Sequence, residues 1–564
     1  VGASPIKEAI QVAPGWHQVS YFPPNMNINT GSMSQNRKMR DLIQIARQDV
    51  LVEEGKTVRV VLSYRSLEGE ALEYEQRLSS SRWVGLSMVF SVGWALYYND
   101  GGLADLVKSM SITVVSGIVL ALGTYSKKKK KKELSVRDGF AIVSIGWFFV
   151  AAFSALPFYF SSGLSYVDAF FESMSGITTT GASILNNIES LPHGILFWRS
   201  FTQFIGGMGI IVFGIAILPL LGFGGVQLFK AEVAGPSADK LTPRIKQTAK
   251  YLWAIYIGLI ILETIILYIE GWVLGIDKLD FFHSLCHSFC TIGTAGFSTY
   301  NSSIAAFESS VVTWTIIVFM FLSAINFMLH FLFIIKGDFS YFKNSEFKIY
   351  SSLILIISVL FFINIYQEKI INNGSLMSIY EKLESSIFYS VSFLTTTGFT
   401  LSNYADWGNA NLIIIFILLF IGGCAGSTTG GIKLIRTLVI LKYLRSTLKK
   451  LIHPKGVYPI RIAQKEIPDN VVQGVLGFYL FYILIFAFLA LIVSLTADTD
   501  FISSLAVSAS TIGNIGPGLG VIGPAYNWSN FPDITKWIIS FGMLLGRLEI
   551  FTVIILFSRT YWRR

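Results

Sequence analysis

Charge is scarce in this chain of 564 residues. Aspartate, glutamate, lysine and arginine together make up 14%, against 52% hydrophobic residues. With a mean hydropathy of +0.58, that balance excludes a soluble globular protein and indicates a polytopic membrane protein. Cysteine is rarer still: Cys286, Cys290 and Cys424 are the only three, so no disulfide framework holds the fold. No nucleophile, base and orienting group fall into a catalytic arrangement, which argues against an enzyme. The first eighty residues lack the apolar core of a signal peptide. The basic runs join hydrophobic stretches instead of lying on a soluble module, so the net charge of +9 does not indicate a nucleic-acid partner.

What the chain does have is apolar length. Ten stretches come near the roughly 20 residues that a hydrocarbon core of about 30 Å requires. They lie at 83–98, 107–125, 139–160, 194–222, 251–270, 311–335, 349–366, 411–441, 474–495 and 537–557. Lysine and arginine gather on every second connection: Lys127 to Lys132; Lys230, Lys240, Arg244, Lys246 and Lys250; Lys336, Lys343 and Lys348; and Lys442 through Lys465. The excess of positive charge on cytoplasmic loops then orients the spans and predicts that both termini are cytoplasmic.

On the alternate, outward connections a short polar segment recurs four times, each ending in glycine. The segments are Thr179-Thr180-Gly181, Thr294-Ala295-Gly296, Thr396-Thr397-Gly398 and Asn514-Ile515-Gly516. Non-helical backbone at membrane depth is tolerated only where it is buried in protein or lines a wet cavity. Four such segments can supply the carbonyl rings that replace a cation's hydration shell. The glycines are spaced about one hundred residues apart, as expected of a fourfold internal repeat. The predicted fold is an all-α polytopic membrane protein. It has four pseudo-repeats of helix, pore helix, filter and helix around a central pore, preceded by two extra transmembrane helices. The short pore helices are expected to begin near Asp168, Asp280, Glu384 and Asp500, where an acid complements the helix dipole.

Two anomalies stand out within the spans. Residues 422 to 431 hold five glycines, Gly422, Gly423, Gly426, Gly430 and Gly431, together with Ser427, Thr428 and Thr429. Each glycine costs roughly 1 kcal/mol in a helix relative to alanine, and the hydroxyls can bond freed backbone, so this reads as an intramembrane loop. A small-residue helix-packing patch would explain Gly422, Gly426 and Gly430 but not Gly423 and Gly431. No Gly-Lys-Ser/Thr follows, so the loop is not a phosphate cradle. Arg547 falls within the last span, where a charge costs about 2.5 to 3.5 kcal/mol. It is therefore expected to line the pore below the filter and hinder cations, the alternative being a static ion pair with Glu549 or another acid. His283, Cys286, His287 and Cys290 share one helix and cannot wrap a tetrahedral ion together, so they are read as packing. Glu263 and His330 are expected to form interhelical hydrogen bonds.

These motifs resemble the Trk/Ktr/HKT superfamily of potassium uptake proteins, and most closely the bacterial Trk-type membrane subunit. The resemblance rests on Asp168 to Gly181, Trp198-Arg199-Ser200, Gly206 to Ile211, Lys240 to Lys250, Asn326-Phe327 and Gly422 to Lys433. It covers nearly everything from about residue 82, and the two leading spans favour the Trk branch over Ktr. The resemblance implies potassium uptake across the bacterial inner membrane, with the four glycine segments as selectivity filter. It further implies that the 422–431 loop is a gate with Arg547 at its side, and that a histidine near His287 holds no metal. Also implied are a homodimer with one pore per protomer, no covalently bound cofactor, and K+ at the filter as the only metal. A cytoplasmic RCK-type regulatory subunit would carry the nucleotide, ATP/ADP or NAD. A secondary K+/H+ or K+/Na+ symporter is the alternative mechanism. The expected organisation is an unassigned cytoplasmic segment at 1–81, accessory helices at 82–126, and repeats at 138–223, 251–337, 347–445 and 470–564.

Overall fold

The computed structural model describes residues 15–19, 48–52, 70–124, 136–216 and 245–563, apart from 367, 369, 373–374 and 463–464. The basic positions Lys127 to Lys132, Lys230, Lys240 and Arg244 lie outside the described residues. Two compact units divide at Glu73 and Tyr74. Within the first, β1 (Gly15–Val19) pairs antiparallel with β2 (Gln48–Val52). The second carries the helices.

Two helices come first, α1 (Glu70–Tyr98), of which all but the first four residues belong to the second unit, and α2 (Leu103–Thr124). Four units of common plan follow. The first contains α3 (Val136–Ser154), α4 (Leu156–Ser161), the short α5 (Tyr166–Ile177) and α6 (His193–Ala216). The second contains α7 (Ile245–Leu274), the short α8 (Phe281–Ile292), α9 (Ser310–Ser323) and α10 (Phe327–Lys336). The third contains α11 (Ser345–Tyr366), the short α12 (Ile379–Leu394), α13 (Asn409–Leu418) and α14 (Leu434–Ile452). The fourth contains α15 (Asp469–Ala497), the short α16 (Phe501–Gly513), α17 (Asp533–Arg547) and α18 (Phe551–Ile554). A final turn, α19 (Arg559–Trp562), closes the chain.

Each short helix packs against a span of its own unit, and three also pack against the second span of a neighbour: α8 on α6, α12 on α9, and α5 on α17. The α5 to α17 contact joins the first unit to the last, so the units form a ring. All four short helices are capped by a side chain that accepts from the backbone three residues on. Ser165 accepts from Asp168 N, Asp280 from His283 N, Ser378 from Glu381 N and Asp500 from Ser503 N. The third start differs from expectation. Glu384 is not in its first turn; Ser378 and Glu381 form a capping box, and Glu384 sits further along, accepting from the Ser310 hydroxyl at 3.2 Å.

Hydroxyls buried on the short helices return to their own backbone. Ser284, Ser288, Ser386 and Ser390 each donate to the carbonyl four residues back, at 2.6 to 2.8 Å. A buried ion pair within the first unit reaches the second: Arg199 Nε lies 2.6 Å from Glu172 Oε1, and Arg199 Nη1 donates across to Ser298 O at 2.6 Å. The same guanidinium sits 3.6 Å above the Phe297 ring.

Two expected spans are not continuous. The stretch 311–335 bends by 96° between α9 and α10, and 537–557 bends by 112° after α17. The first break has no glycine or proline to announce it. Asn326 caps the new helix by accepting from Met328 N at 2.8 Å, and the backbone freed at the bend is taken up by the 422–431 loop. The second break places Glu549 and Ile550 at positive φ, 57° and 56°. Arg547 is thus the last residue of α17 and does not lie in mid-helix. Among the described residues four helices are long and apolar enough alone to cross a membrane, and six if each bent pair is one span. Others, such as Asn409–Leu418, are shorter.

Candidate functional site

The four glycine segments take one backbone conformation. Thr179, Thr294, Thr396 and Asn514 lie in the left-handed region at φ 52°, 51°, 56° and 52°. Two residues on, Gly181, Gly296, Gly398 and Gly516 have φ of 77°, 74°, 78° and 92°. Each segment folds back on its short helix with the same pair of bonds. Thr179 N donates to Gly176 O and Thr180 N to Ser175 O; Thr294 N donates to Thr291 O and Ala295 N to Cys290 O. Thr396 N donates to Phe393 O and Thr397 N to Ser392 O; Asn514 N donates to Thr511 O and Ile515 N to Ser510 O.

The segments meet in a closed cycle. A Cβ on Gly181 would strike Ala295 O, one on Gly296 would strike Thr397 O, and one on Gly398 would strike Ile515 O. One on Gly516 would lie 2.6 Å from Thr180 O, which returns to the first unit. The carbonyls of Thr180, Ala295, Thr397 and Ile515 therefore form a layer against the four glycines, and no side chain fits at any of the four. Side chains steady the layer. Gln203 Nε2 donates to Ala295 O at 2.6 Å and its Oε1 accepts from Phe297 N at 3.2 Å. Asn514 Nδ2 donates to both Thr180 Oγ1 and Met543 O, at 3.0 and 2.9 Å. His287 joins His283 O to the Ser298 hydroxyl, and His283 Nδ1 meets Thr299 Oγ1 at 2.8 Å, so this helix face braces the second segment. His330 bridges Tyr341 and Leu322 O as expected, while Glu263 is fully buried on α7, which packs on α8.

Residues 419–433 leave the helix, as the glycine run predicted. The neck is closed by Gly422 N to Ile432 O at 2.9 Å and Ile432 N to Phe420 O at 3.0 Å. From there the loop reaches the glycine segments and the bend between α9 and α10. Gly430 N donates to Thr396 Oγ1 at 2.7 Å, Thr428 Oγ1 donates to Ile292 O at 3.0 Å, and a Cβ on Gly430 would lie 2.9 Å from that of Asn514. Cys424 N donates to Ala324 O, and Phe327 N to Gly426 O. Within the loop Ser427 Oγ donates to Cys424 O and lies 2.8 Å from Thr429 Oγ1. Gly423 packs on Ala324, where a Cβ would come within 3.0 Å, and Gly431 has φ 61°.

Arg547 is 2% exposed and bonds to backbone, not to Glu549. Its Nη1 donates to Thr428 O at 2.7 Å and its Nη2 to Gly206 O at 3.1 Å, so it ties the loop to α6. Glu549 instead pairs with Arg436 of α14, at 2.5 Å. Lys433 donates to Thr429 O and, at 2.9 Å, to Thr429 Oγ1. Lys433, Gln203 and the Glu172–Arg199 pair were given no part in the site from sequence. A buried charge or amide at membrane depth was the available signal, but Gln203 and Arg199 find partners on the second unit, at Ala295, Phe297 and Ser298.

The TrkH family model, described as a cation transport protein, matches residues 108–564. The Trk system potassium uptake protein TrkH of Escherichia coli (strain K12) is 39% identical over 499 residues, covering 86% of this chain and 99% of that protein. TrkG of the same organism, also a Trk system potassium uptake protein, is 35% identical over 488 residues, 85% of this chain and 96% of that one. The crystal structure of the potassium transporter TrkH from Vibrio parahaemolyticus aligns with a TM-score of 0.76 at 35% identity, covering 87% of this chain and all of that one. This chain belongs to the TrkH family of cation transport proteins.

Proposed function

We propose that this protein conducts potassium ions, and rubidium with them, across the bacterial inner membrane through a gated, cation-selective pore. The carrying observation is the closed cycle in which the Thr180, Ala295, Thr397 and Ile515 carbonyls abut the glycines of the next segment. Four converging oxygens with no side chain between them can substitute for water around a weakly hydrated cation. That the relatives are named potassium uptake proteins supports potassium as the cargo. The 422–431 loop, pressed against Thr396 and Ile292, acts as the closed gate, and Arg547 adds a fixed positive potential beside it. K+ is the only metal the site holds, and no covalent cofactor is used.

The ring alone suffices for a channel, because a passive pore needs only a path and a barrier. In liposomes under opposed potassium and proton gradients, the reversal potential should follow potassium alone. A reversal potential displaced by the proton gradient would establish the symporter instead. Gly398→Ser should lower potassium over sodium selectivity about tenfold, a change of ~1.4 kcal/mol, because the added side chain must displace the Ile515 carbonyl. Bi-ionic flux ratios measured on monodisperse protein check this, and an unchanged ratio removes Gly398 from the filter.

Arg547→Ala should raise regulator-free potassium flux about tenfold, since it deletes a positive charge and the bond to Thr428 O together. An unchanged or lower flux from correctly folded protein would show that Arg547 is only a strut.

The working assembly is a homodimer on a cytoplasmic RCK-type subunit that binds the nucleotide, ATP/ADP or NAD, with both termini of this chain cytoplasmic. Exposed Leu441, Leu444, Leu448 and Leu451 on α14 fall at heptad spacing and support a second copy as neighbour. The exposed lysines beside them suit an acidic partner surface. Lys449→Glu combined with Lys450→Glu should weaken co-purification with the regulatory subunit at least several-fold, and more so at low salt. Undiminished capture would move the interface elsewhere.

A further inference from the structure

A single carboxylate fastens both flanks of the 422–431 loop. Glu346, in the first turn of α11, is 2% exposed. Its Oε1 accepts from Ala425 N at 2.8 Å and from Ile435 N at 3.0 Å. Ala425 lies in the entry half of the loop, and Ile435 lies just past its exit, at the start of α14. Hydrogen bonds to an ionised oxygen are roughly twice as strong as neutral ones. A segment with five glycines also gains more chain entropy on release than the same segment with side chains at those positions would. The backbone pair at Gly422 and Ile432 sets the neck, and Ala425 packs on the apolar cluster that contains Ile435 and Val439, but among the hydrogen bonds described no other side chain joins the Ala425 and Ile435 amides.

We propose that Glu346 is the clasp of the closed loop, a positioning residue whose anionic oxygen holds the entry and exit flanks together, so that loss of this oxygen opens the loop. The proposal rests on the reading of that loop as the gate. It assigns a role to an acid on the first span of the third unit, outside both the filter and the loop. Lys433 braces the loop from within through Thr429, and the Arg436–Glu549 pair ties the next residue after Ile435 to the end of the chain's last long helix. Of these ties, Glu346 alone reaches both flanks.

The test uses the full-length protein in liposomes without a regulatory subunit, with potassium as the transported ion. Glu346→Gln keeps the side-chain shape and one acceptor oxygen but removes the charge. It should raise basal flux about fivefold to tenfold, the loss expected when two charge-assisted bonds become neutral ones. Cys424 is buried next to Ala425 and supplies a second readout by peptide-resolved mass spectrometry of thiol labelling. Its labelling should quicken by a similar factor, while Cys286 and Cys290 on α8 stay unreactive. Glu346→Asp, which keeps the charge on a shorter arm, should restore part of the closure. Should Glu346→Gln fail to fold, the Glu346→Asp protein still decides the matter through Cys424. Arg547→Ala is measured alongside. A leak in Arg547→Ala with neither flux nor Cys424 labelling changed in Glu346→Gln overturns the clasp and leaves the gate standing. Faster Cys424 labelling with unchanged flux in both variants overturns the gate reading, and the clasp's control of flux with it. Equal acceleration at all three cysteines would reduce Glu346 to a general structural residue.

Discussion

The contact on which the site depends is that of a bare Cα against a neighbouring carbonyl, made four times around a ring. Gly181, Gly296, Gly398 and Gly516 each leave room for the oxygen before the next glycine, and the fourth contact closes on the first segment. A methyl group at any of the four would push one oxygen out of its layer. The rest of the architecture delivers those backbones. Four capped short helices end at the segments, and the α5 to α17 contact brings the last unit back to the first. Because helix C-termini carry partial negative charge, their convergence favours a cation there.

Membrane depth sets a second constraint, since every broken helix must find partners for its freed amides and carbonyls within the protein. Here the breaks supply one another. The interruption after α13 donates Cys424 N to Ala324 O at the α9 to α10 bend and accepts Phe327 N at Gly426 O. The interruption after α17 presents Glu549 to Arg436, beside the exit of the same loop, while Arg547 holds Thr428 O. Three discontinuities that would each be costly alone thus become one connected region.

How much of this the sequence disclosed follows from how local each signal is. The glycine segments and the 422–431 loop were legible because composition within a few residues contradicts the surrounding apolar helix. The bend at residues 324–326 was not, since Ser310 to Lys336 is mostly apolar with no glycine or proline, and the partners of the freed backbone lie in a loop one hundred residues later. Glu384 drew attention as an acid near an expected helix start, but the capping box at Ser378 and Glu381 had the stronger local claim. Arg547 stands out in sequence by the cost of a charge within a span, yet the sequence could not show that the helix ends there or that Glu549 turns to Arg436. Glu346 looked like an ordinary acid at the head of a span. Its importance comes from two amides more than seventy residues away, and no periodicity encodes that.

The four segments are alike in backbone and unlike in side chain, and the difference is physically ordered. The left-handed position holds threonine in three units, and a branched side chain at φ near 50° costs about 1 to 3 kcal/mol. Asparagine tolerates that region better than most residues, so Asn514 relieves strain in the fourth unit. It also adds two bonds, to Thr180 Oγ1 and Met543 O, that a threonine is too short to reproduce. Thr180 in turn lies 2.8 Å from the Thr178 hydroxyl, and Thr395 and Thr397 repeat that pairing in the third unit. The second unit has Ala295 at the equivalent place and lacks the hydroxyl, but Gln203 reaches across to hold its carbonyl. Each unit therefore reaches the same backbone by a different side-chain route. A ring built in this way keeps near-fourfold carbonyl oxygens while leaving its inner face asymmetric, and the loop of the third unit meets that asymmetry at Thr396 and Asn514.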